Sequence, residues 1–394
     1  MTRLALPGQD GQLGEHRLAE PGAWTRPDGP LTSRVVYAAA HVVPRIWADN
    51  SPGAPAVLDW DSTLALRHEL WSYGLGVADA MDTAQRGMGL DWPATQELVL
   101  RSATEAASVG GALACGAGTD QLDLDALPSG RRGVDAVLGA YREQVQLVAG
   151  AGATVILMAS RALVTVATGP QDYLDVYGTL LAEVEQPVIL HWLGPMFDPS
   201  LAAYWGAADV AAATETFVQL IEAHPGKVDG VKVSLLDAAH EIALRARLAT
   251  LAPQVRLYTG DDFNYPELIH GDGSHHSDAL LGIFAAIAPL ASTAIQAYDA
   301  GDADRGHALL ASTEQLGRHI FSAPTPHYKT GVAFLGWLNG QQPGFVMVAG
   351  QQAGRSLPHL VQTFRLADAA GLLRDPELAA ARMQQLLTVH GLGA

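Results

Sequence analysis

Lysine and cysteine are nearly absent from this chain. It has 394 residues but only three lysines, Lys227, Lys232 and Lys329, and one cysteine, Cys115. One cysteine excludes an intrachain disulfide, and a reducing cytoplasm suits such a chain. Cys115 stands in the apolar run GGALACG, so it reads as a buried structural thiol rather than a nucleophile. Basic charge is also scarce: 24 Lys+Arg against 41 Asp+Glu give a formal charge of −17. A field of that sign repels nucleic acid and anionic membrane surfaces. Small molecules are the expected partners, and an anionic one needs a local positive site. Uninterrupted apolar runs of about 18 residues, the length of a membrane span, are missing. The best candidate, 279–295, contains Pro289 and Ser292 and reads as a core helix. The first residues lack a sustained apolar stretch, so no signal peptide is expected and the expected location is the cytoplasm.

What is present is a globular composition, 48% hydrophobic, with length for one barrel and an appendage. Residues 1–30, rich in Gly and Pro, read as an N-terminal arm or lid. Short apolar runs bounded by turn residues follow: 34–43, 74–81, 110–116, 153–159, 187–193, 228–235 and 255–260. An eighth strand is expected near 271–278, although GDGSHHSD is a poor strand by composition. Helical periodicity fills the gaps, at 93–109 (with Asp91 as a cap), 134–149, 172–184 and 211–223. Such alternation predicts an α/β fold, a (β/α)8 TIM barrel over 31–280. A doubly wound open sheet is the rival, but no Gly-x-Gly-x-x-Gly follows the first strand. From 281 to 394 the patterns are helical, predicting a C-terminal helical domain.

Lys232 lies between Val231 and Val233 in VDGVKVSL, inside an apolar strand. Burying an ammonium without a partner is costly, so such a lysine tends to lose its proton. A neutral amine can attack a carbonyl and form an imine. A strand-end lysine paired with a carboxylate is the plainer reading of the spacing alone.

Three further stretches bear on that choice. Gly230-Val231-Lys232 falls on the sixth expected strand. Tyr258-Thr-Gly-Asp-Asp-Phe263 follows on the seventh, and Gly271-Asp-Gly-Ser274 precedes the eighth. Together with Ala300-Gly-Asp302, His327-Tyr-Lys329 and Gly336, they resemble the dihydrodipicolinate synthase and N-acetylneuraminate lyase superfamily, as a divergent branch. The resemblance implies a class I aldolase or lyase barrel with a C-terminal helical domain. It implies a Schiff base on Lys232, no cofactor beyond that covalent imine, and a homo-oligomer, dimer or tetramer. The expected substrate is a small polar carbonyl compound: a keto-sugar, sugar acid or 2-oxo acid.

Two departures stand out. The family has Tyr at the end of strand five as a proton shuttle, where this chain has His191. Its carboxylate-binding loop after strand two reads here Asp82-Thr83-Ala84-Gln85-Arg86-Gly87. Thr83 and Arg86 are expected to orient substrate, and Asp82 to disfavour an adjacent carboxylate. The expected site is thus Lys232 and His191 for catalysis, with Thr83, Arg86, Asp82, Asp261, His275 and Ser274 for binding. Asp261 and Asp262 read as ligands for hydroxyls or as helix caps. His41, Asp59 and Asp61 lie near the end of strand one, and Trp47 and Trp192 read as core aromatics or stacking faces.

The stretch His270 to Asp278 holds three histidines and two aspartates. It supports an alternative, a metal-assisted isomerase or aldolase with a divalent ion on His275 and Asp278. A third reading is a ligand-binding relative that does not turn over.

Overall fold

The computed structural model describes residues 2–8 and 10–392. An antiparallel hairpin comes first, β1 (Arg3–Pro7) and β2 (Leu13–Arg17). Eight parallel strands follow: β3 (Val36–Ala39), β4 (Gly76–Asp79), β5 (Leu113–Ala117), β6 (Thr154–Leu157), β7 (Val188–Leu193), β8 (Val228–Ser234), β9 (Arg256–Thr259) and β10 (Asp278–Leu281). They pair in chain order and close where β10 meets β3, so the fold is a (β/α)8 barrel.

Helices alternate with the strands. These are α1 (Trp60–Ser72), α2 (Trp92–Val109), α3 (Arg131–Gly150), the short α4 (Arg161–Val166), α5 (Pro170–Glu183), α6 (Val210–Ala223), α7 (Ala238–Leu248), α8 (Tyr265–His270) and α9 (Ile283–Asp299). Asp59, Asp91, Asp209 and Asp237 cap α1, α2, α6 and α7, each accepting a backbone N–H of the first turn. Asp59 is thus a cap, and Asp61 lies exposed in the first turn of the same helix.

Strand alternation divides the core in two. One face of each strand packs under the helices. The other fills the barrel with Ala39, Ala78, Ala114, Ile156, Ile189, Tyr258 and Leu280. The alanines of β3 to β5 leave room that Met81 and Met158 occupy. Between barrel and helices, Arg67 and Asp79 form a fully buried two-pronged ion pair at 2.7 and 3.0 Å. Ser102 also donates to Asp79, so α1, α2 and β4 are locked together.

The eighth strand differs from expectation. Residues 271–277 are a turn, and the strand begins only at Asp278. Gly271 and Gly273 take positive φ there, and Asp272 accepts the N–H groups of Ser274 and His275. Polar turn residues therefore precede the strand rather than form it. The boundary expected at 280 falls inside the last βα unit, because α9 packs on β3 as the eighth barrel helix.

The C-terminal helices are α10 (Ala303–Ala311), α11 (Glu314–Ile320), α12 (Tyr328–Leu338), α13 (Leu357–Ala369) and α14 (Pro376–Val389). Every residue of α12 is buried. The hairpin at the chain start packs on α13 and α14. His16 and the Ala19 N–H both bond Asp368, and the Trp24 indole donates to the Gly371 carbonyl. The arm clasps the C-terminal helices through these contacts.

Candidate active site

Lys232 sits on β8 with its side chain inside the barrel, in register with His191 of β7 and Tyr258 of β9. Its side chain reaches toward the C-terminal ends of the strands, the mouth, where barrel enzymes build their sites. Space for it depends on Gly260. A methyl there would overlap Ser234 Oγ and stand 3.0 Å from Lys232 Cε. Lys232 is 8% exposed. Among the described residues no carboxylate lies within 4.0 Å of its Nζ, and no acceptor takes a hydrogen bond from it. Burial pulls its pKa down, against the pull of Asp82 and Asp262.

Asp262 is the second member. Burial pushes its carboxyl up to about 7, opposed by the Ile283 N–H, which donates to Oδ1 at 2.9 Å, and by Lys232. Burial thus disfavours the charged form of both groups, the ammonium of Lys232 and the carboxylate of Asp262. Its neighbour Asp261 does something else. Both its oxygens cap the turn, accepting from the Phe263 and Asn264 N–H groups and the Asn264 amide. Of the two roles read for Asp261, substrate ligand or cap, the structure shows the cap.

Tyr328, the first residue of α12, completes the mouth from the C-terminal helices. Its hydroxyl lies 2.8 Å from Thr83 Oγ1. Burial, with Asp82 and Asp262 nearby, holds the phenol well above its usual pKa, so it stays protonated. Its ring stacks on Phe321 and meets Phe197 edge-on. Gly282 permits this, since a methyl there would approach Phe321 and Tyr328 at 2.9 and 3.1 Å. Backbone strain gathers at the same mouth: Ala80 and Gln85 flank the Asp82-Thr83 turn and Leu236 follows β8, all with positive φ.

The remaining expected residues divide by position. Asp82 and Thr83 lie at the mouth. His191 adjoins Lys232 as expected, its Nε2 3.3 Å from Ser234 Oγ and its buried Nδ1 without a partner. Burial and the neighbouring Lys232 hold it well below the usual histidine pKa, so it is a neutral imidazole. Arg86, expected to orient substrate, is saturated. It pairs with Asp120 and donates to Gln144 and to the carbonyls of Ala80 and Gly116. Its guanidinium braces the loops after β4 and β5.

The histidine-rich segment lies at the other pole. Ser274, His275, His276 and Asp278 line a cavity with Val35, Val255 and Arg256, residues at the strand starts. Expected at the mouth, they lie instead at the starts of the strands, the end away from which the Lys232 side chain reaches. Asp278 accepts the Val35 N–H and faces Arg256. No group of three His, Cys, Asp or Glu suited to hold a metal ion occurs among the described residues. His41 turns outward and bonds Gln342. Trp192 packs on Trp205 and Phe217 as a core aromatic, while Trp47 is 95% exposed and belongs to no core.

Sequence reasoning missed Tyr328 and Lys329 as site residues. The third of three lysines inside an apolar helix was the available signal. A mouth cavity of about 200 Å³ is lined by Asp82, Gly87, Thr119, Ser160, Arg161 and Asp198, among others. A larger one of about 780 Å³ lies at the opposite pole, around Thr154, Asp229 and Arg256.

Residues 4–392 match the model of a family described as Protein of unknown function (DUF993). No curated protein matches the chain. Solved structures of the dihydrodipicolinate synthase family do. The Thermotoga maritima synthase aligns with a TM-score of 0.63 at 13% identity, over 87% of this chain and 100% of that one. A prophage protein of the family from E. coli K12, solved with pyruvate, gives 0.65 at 14%, over 86% and 99%. The Acinetobacter baumannii synthase, also solved with pyruvate, gives 0.61 at 16%, over 86% and 100%. Identity this low carries the fold and not the substrate. The chain belongs to the DUF993 family, and its fold is the one seen in the dihydrodipicolinate synthase structures.

Proposed function

We propose that this protein is a class I aldolase or lyase in which Lys232 forms an imine with a small polar carbonyl substrate. One observation carries the reading: an inward-facing, buried amine at the barrel mouth, free of any ion pair, beside a carboxyl that holds its proton to about pH 7. The neutral amine attacks the carbonyl carbon and gives a carbinolamine. Asp262 donates its proton to the departing hydroxyl, water leaves, and the nitrogen ends as a protonated imine. That cation accepts the electron pair released when the bond between the α- and β-carbons breaks. The β-hydroxyl gives its proton to the Asp262 carboxylate, and the β-carbon leaves as a carbonyl. The enamine that remains takes the proton back at its α-carbon to become the protonated imine again. Water then hydrolyses the imine and restores Lys232 and the protonated carboxyl.

The Tyr328–Thr83 hydroxyl pair suits a hydrogen-bonding role toward the substrate oxygen, because both groups can donate or accept. His191, neutral and buried, forms a polar wall beside the amine rather than a cationic acid. The acid role expected of it passes to Asp262. Asp82 places negative charge where a 2-oxo acid would put its carboxylate, which argues against pyruvate as the carbonyl donor.

Borohydride reduction with a panel of keto acids and keto-sugars, read by intact mass, tests the reading. A stable adduct on the native protein, absent from Lys232→Met, is expected. No adduct with any compound, or one that persists in Lys232→Met, overturns it.

A further inference from the structure

A second buried amine stands near the first. Lys329, next to Tyr328 on α12, is 4% exposed. Its Nζ donates to the Pro326 carbonyl at 3.1 Å and touches Met88 Sδ at 3.2 Å. Among the described residues no carboxylate lies within 4.0 Å of it. A buried ammonium held by one carbonyl and one thioether is poorly compensated. Its charged neighbours are Asp82, Arg161 and Asp198. Burial lowers its pKa to about 8, so it remains mostly charged at neutrality.

Arg161 supplies a second donor set. It pairs with Asp198 through Nε. Among the described residues neither Nη has an acceptor, and both lie over Gly87, 3.0 and 3.2 Å from where a methyl would be. Gly87 has φ +71°, so the loop needs glycine both for its turn and for this contact. Gly87, Arg161 and Asp82 line the mouth cavity, and Met88, against Lys329, is the next residue. Two cations thus bracket Gly87-Met88, one with an open guanidinium edge and one an ammonium without a counterion. In a chain with 24 cationic residues and a charge of −17, that concentration is not a general property of the surface. Arg161 is a neighbour of Lys329 and not of Lys232, whose charged neighbours are Asp82 and Asp262. Lys329 thus has a second cation beside it as well as the carboxylates Asp82 and Asp198, whereas the charged neighbours of Lys232 are carboxylates alone.

We infer that the carbonyl substrate carries an anionic group, carboxylate or phosphate, separated from its carbonyl carbon, and that Lys329 and Arg161 hold that group. The inference rests on imine formation at Lys232 and names the substrate class it serves. An open guanidinium fork matches the paired oxygens of either anion, and the ammonium adds a point charge. Asp82 and Asp262 beside Lys232 work against an anion directly on the carbonyl carbon, and the open edge of Arg161 stands on the Lys329 side alone.

The test uses matched ketones in borohydride trapping: hydroxyacetone, hydroxyacetone phosphate, 4-oxopentanoate and pyruvate. At least one of the two distal anions is expected to label the native protein about tenfold faster than hydroxyacetone, about 1.4 kcal/mol. Pyruvate gains no such advantage. In Lys329→Met and Arg161→Gln the ratio of anionic to neutral labelling falls toward one. The compound that gains distinguishes phosphate from carboxylate. A ratio near one in the native protein, or one unchanged in both variants, overturns the inference. If no ketone labels, imine formation itself fails, and calorimetric titration with inorganic phosphate and with acetate decides the anion site alone. Saturable binding that is lost in Lys329→Met upholds it, and no binding of either ion overturns it.

Discussion

Replacing Asp262 by Asn removes a proton donor while keeping the shape of the mouth. The Asn carbonyl can still accept the Ile283 N–H that Asp262 Oδ1 accepts at 2.9 Å. What is lost is the acid for carbinolamine dehydration, and such a group is worth roughly 10²–10⁴ in rate. That corresponds to about 2.7–5.5 kcal/mol of barrier. The pH profile changes as well. In the native protein imine formation rises with pH as Lys232 loses its proton and falls as Asp262 ionises near 7. A bell-shaped profile follows, belonging to the pair rather than to either residue. In the Asn variant the falling limb disappears. The rising limb moves to lower pH, because a carboxylate that had favoured the ammonium is gone. Rates of borohydride trapping between pH 5 and 9 read both effects. A variant within about threefold of native that keeps the falling limb would refute the role given to Asp262.

Two further outcomes follow from the same geometry. Tyr328→Phe removes the hydroxyl that meets Thr83 and is expected to slow trapping roughly tenfold to hundredfold, with a stability loss near 1 kcal/mol; unchanged trapping kinetics would strip Tyr328 of any part in the chemistry. Glu241 is buried and pushed up from 4.5 to about 8, while Thr259 and Ser277 donate to it. The folded chain therefore keeps a proton that the unfolded chain has released, so stability falls as pH rises from about 4.5 to about 8. Glu241→Gln should melt like the native protein at pH 5 and several degrees higher at pH 8.5; a native protein no more stable than the variant at pH 5 than at pH 8.5 contradicts this sign.

Seven of the barrel strands were legible because each is a short apolar run with turn residues on both sides. The eighth, Asp278–Leu281, runs into α9 with only Gly282 between them, so no punctuation marks its end. Its polar prelude looked like the strand and carried the histidines to the wrong pole. Lys232 was legible because a charge inside a β-branched run is conspicuous. Arg86 was misread because its partners, Asp120 and Gln144, lie on other elements and no local pattern announces that its donors are used. Asp261 and Asp262 are adjacent, and only the turn geometry decides which one faces inward. Tyr328 and Lys329 reach the mouth from a helix about 100 residues beyond Lys232, a distance over which sequence pattern carries no information about contact.

The clasp between the first hairpin and the last helices has a consequence for how the molecule is made. The His16–Asp368 bond joins residues 352 positions apart. At a synthesis rate of about 5–20 residues per second, the hairpin emerges roughly 20–70 s before the surface that covers it. Leu4 and Leu6, buried in the finished protein, face water throughout that interval. The barrel strands are all available well before then, since the last ends at Leu281. Tyr328 and Lys329 arrive on α12, which packs against the α13 and α14 that the hairpin grips. In a nascent chain all eight strands, Lys232 among them, are therefore made before the helix that completes the mouth, and the helices that seat that helix are also the ones that shelter the hairpin.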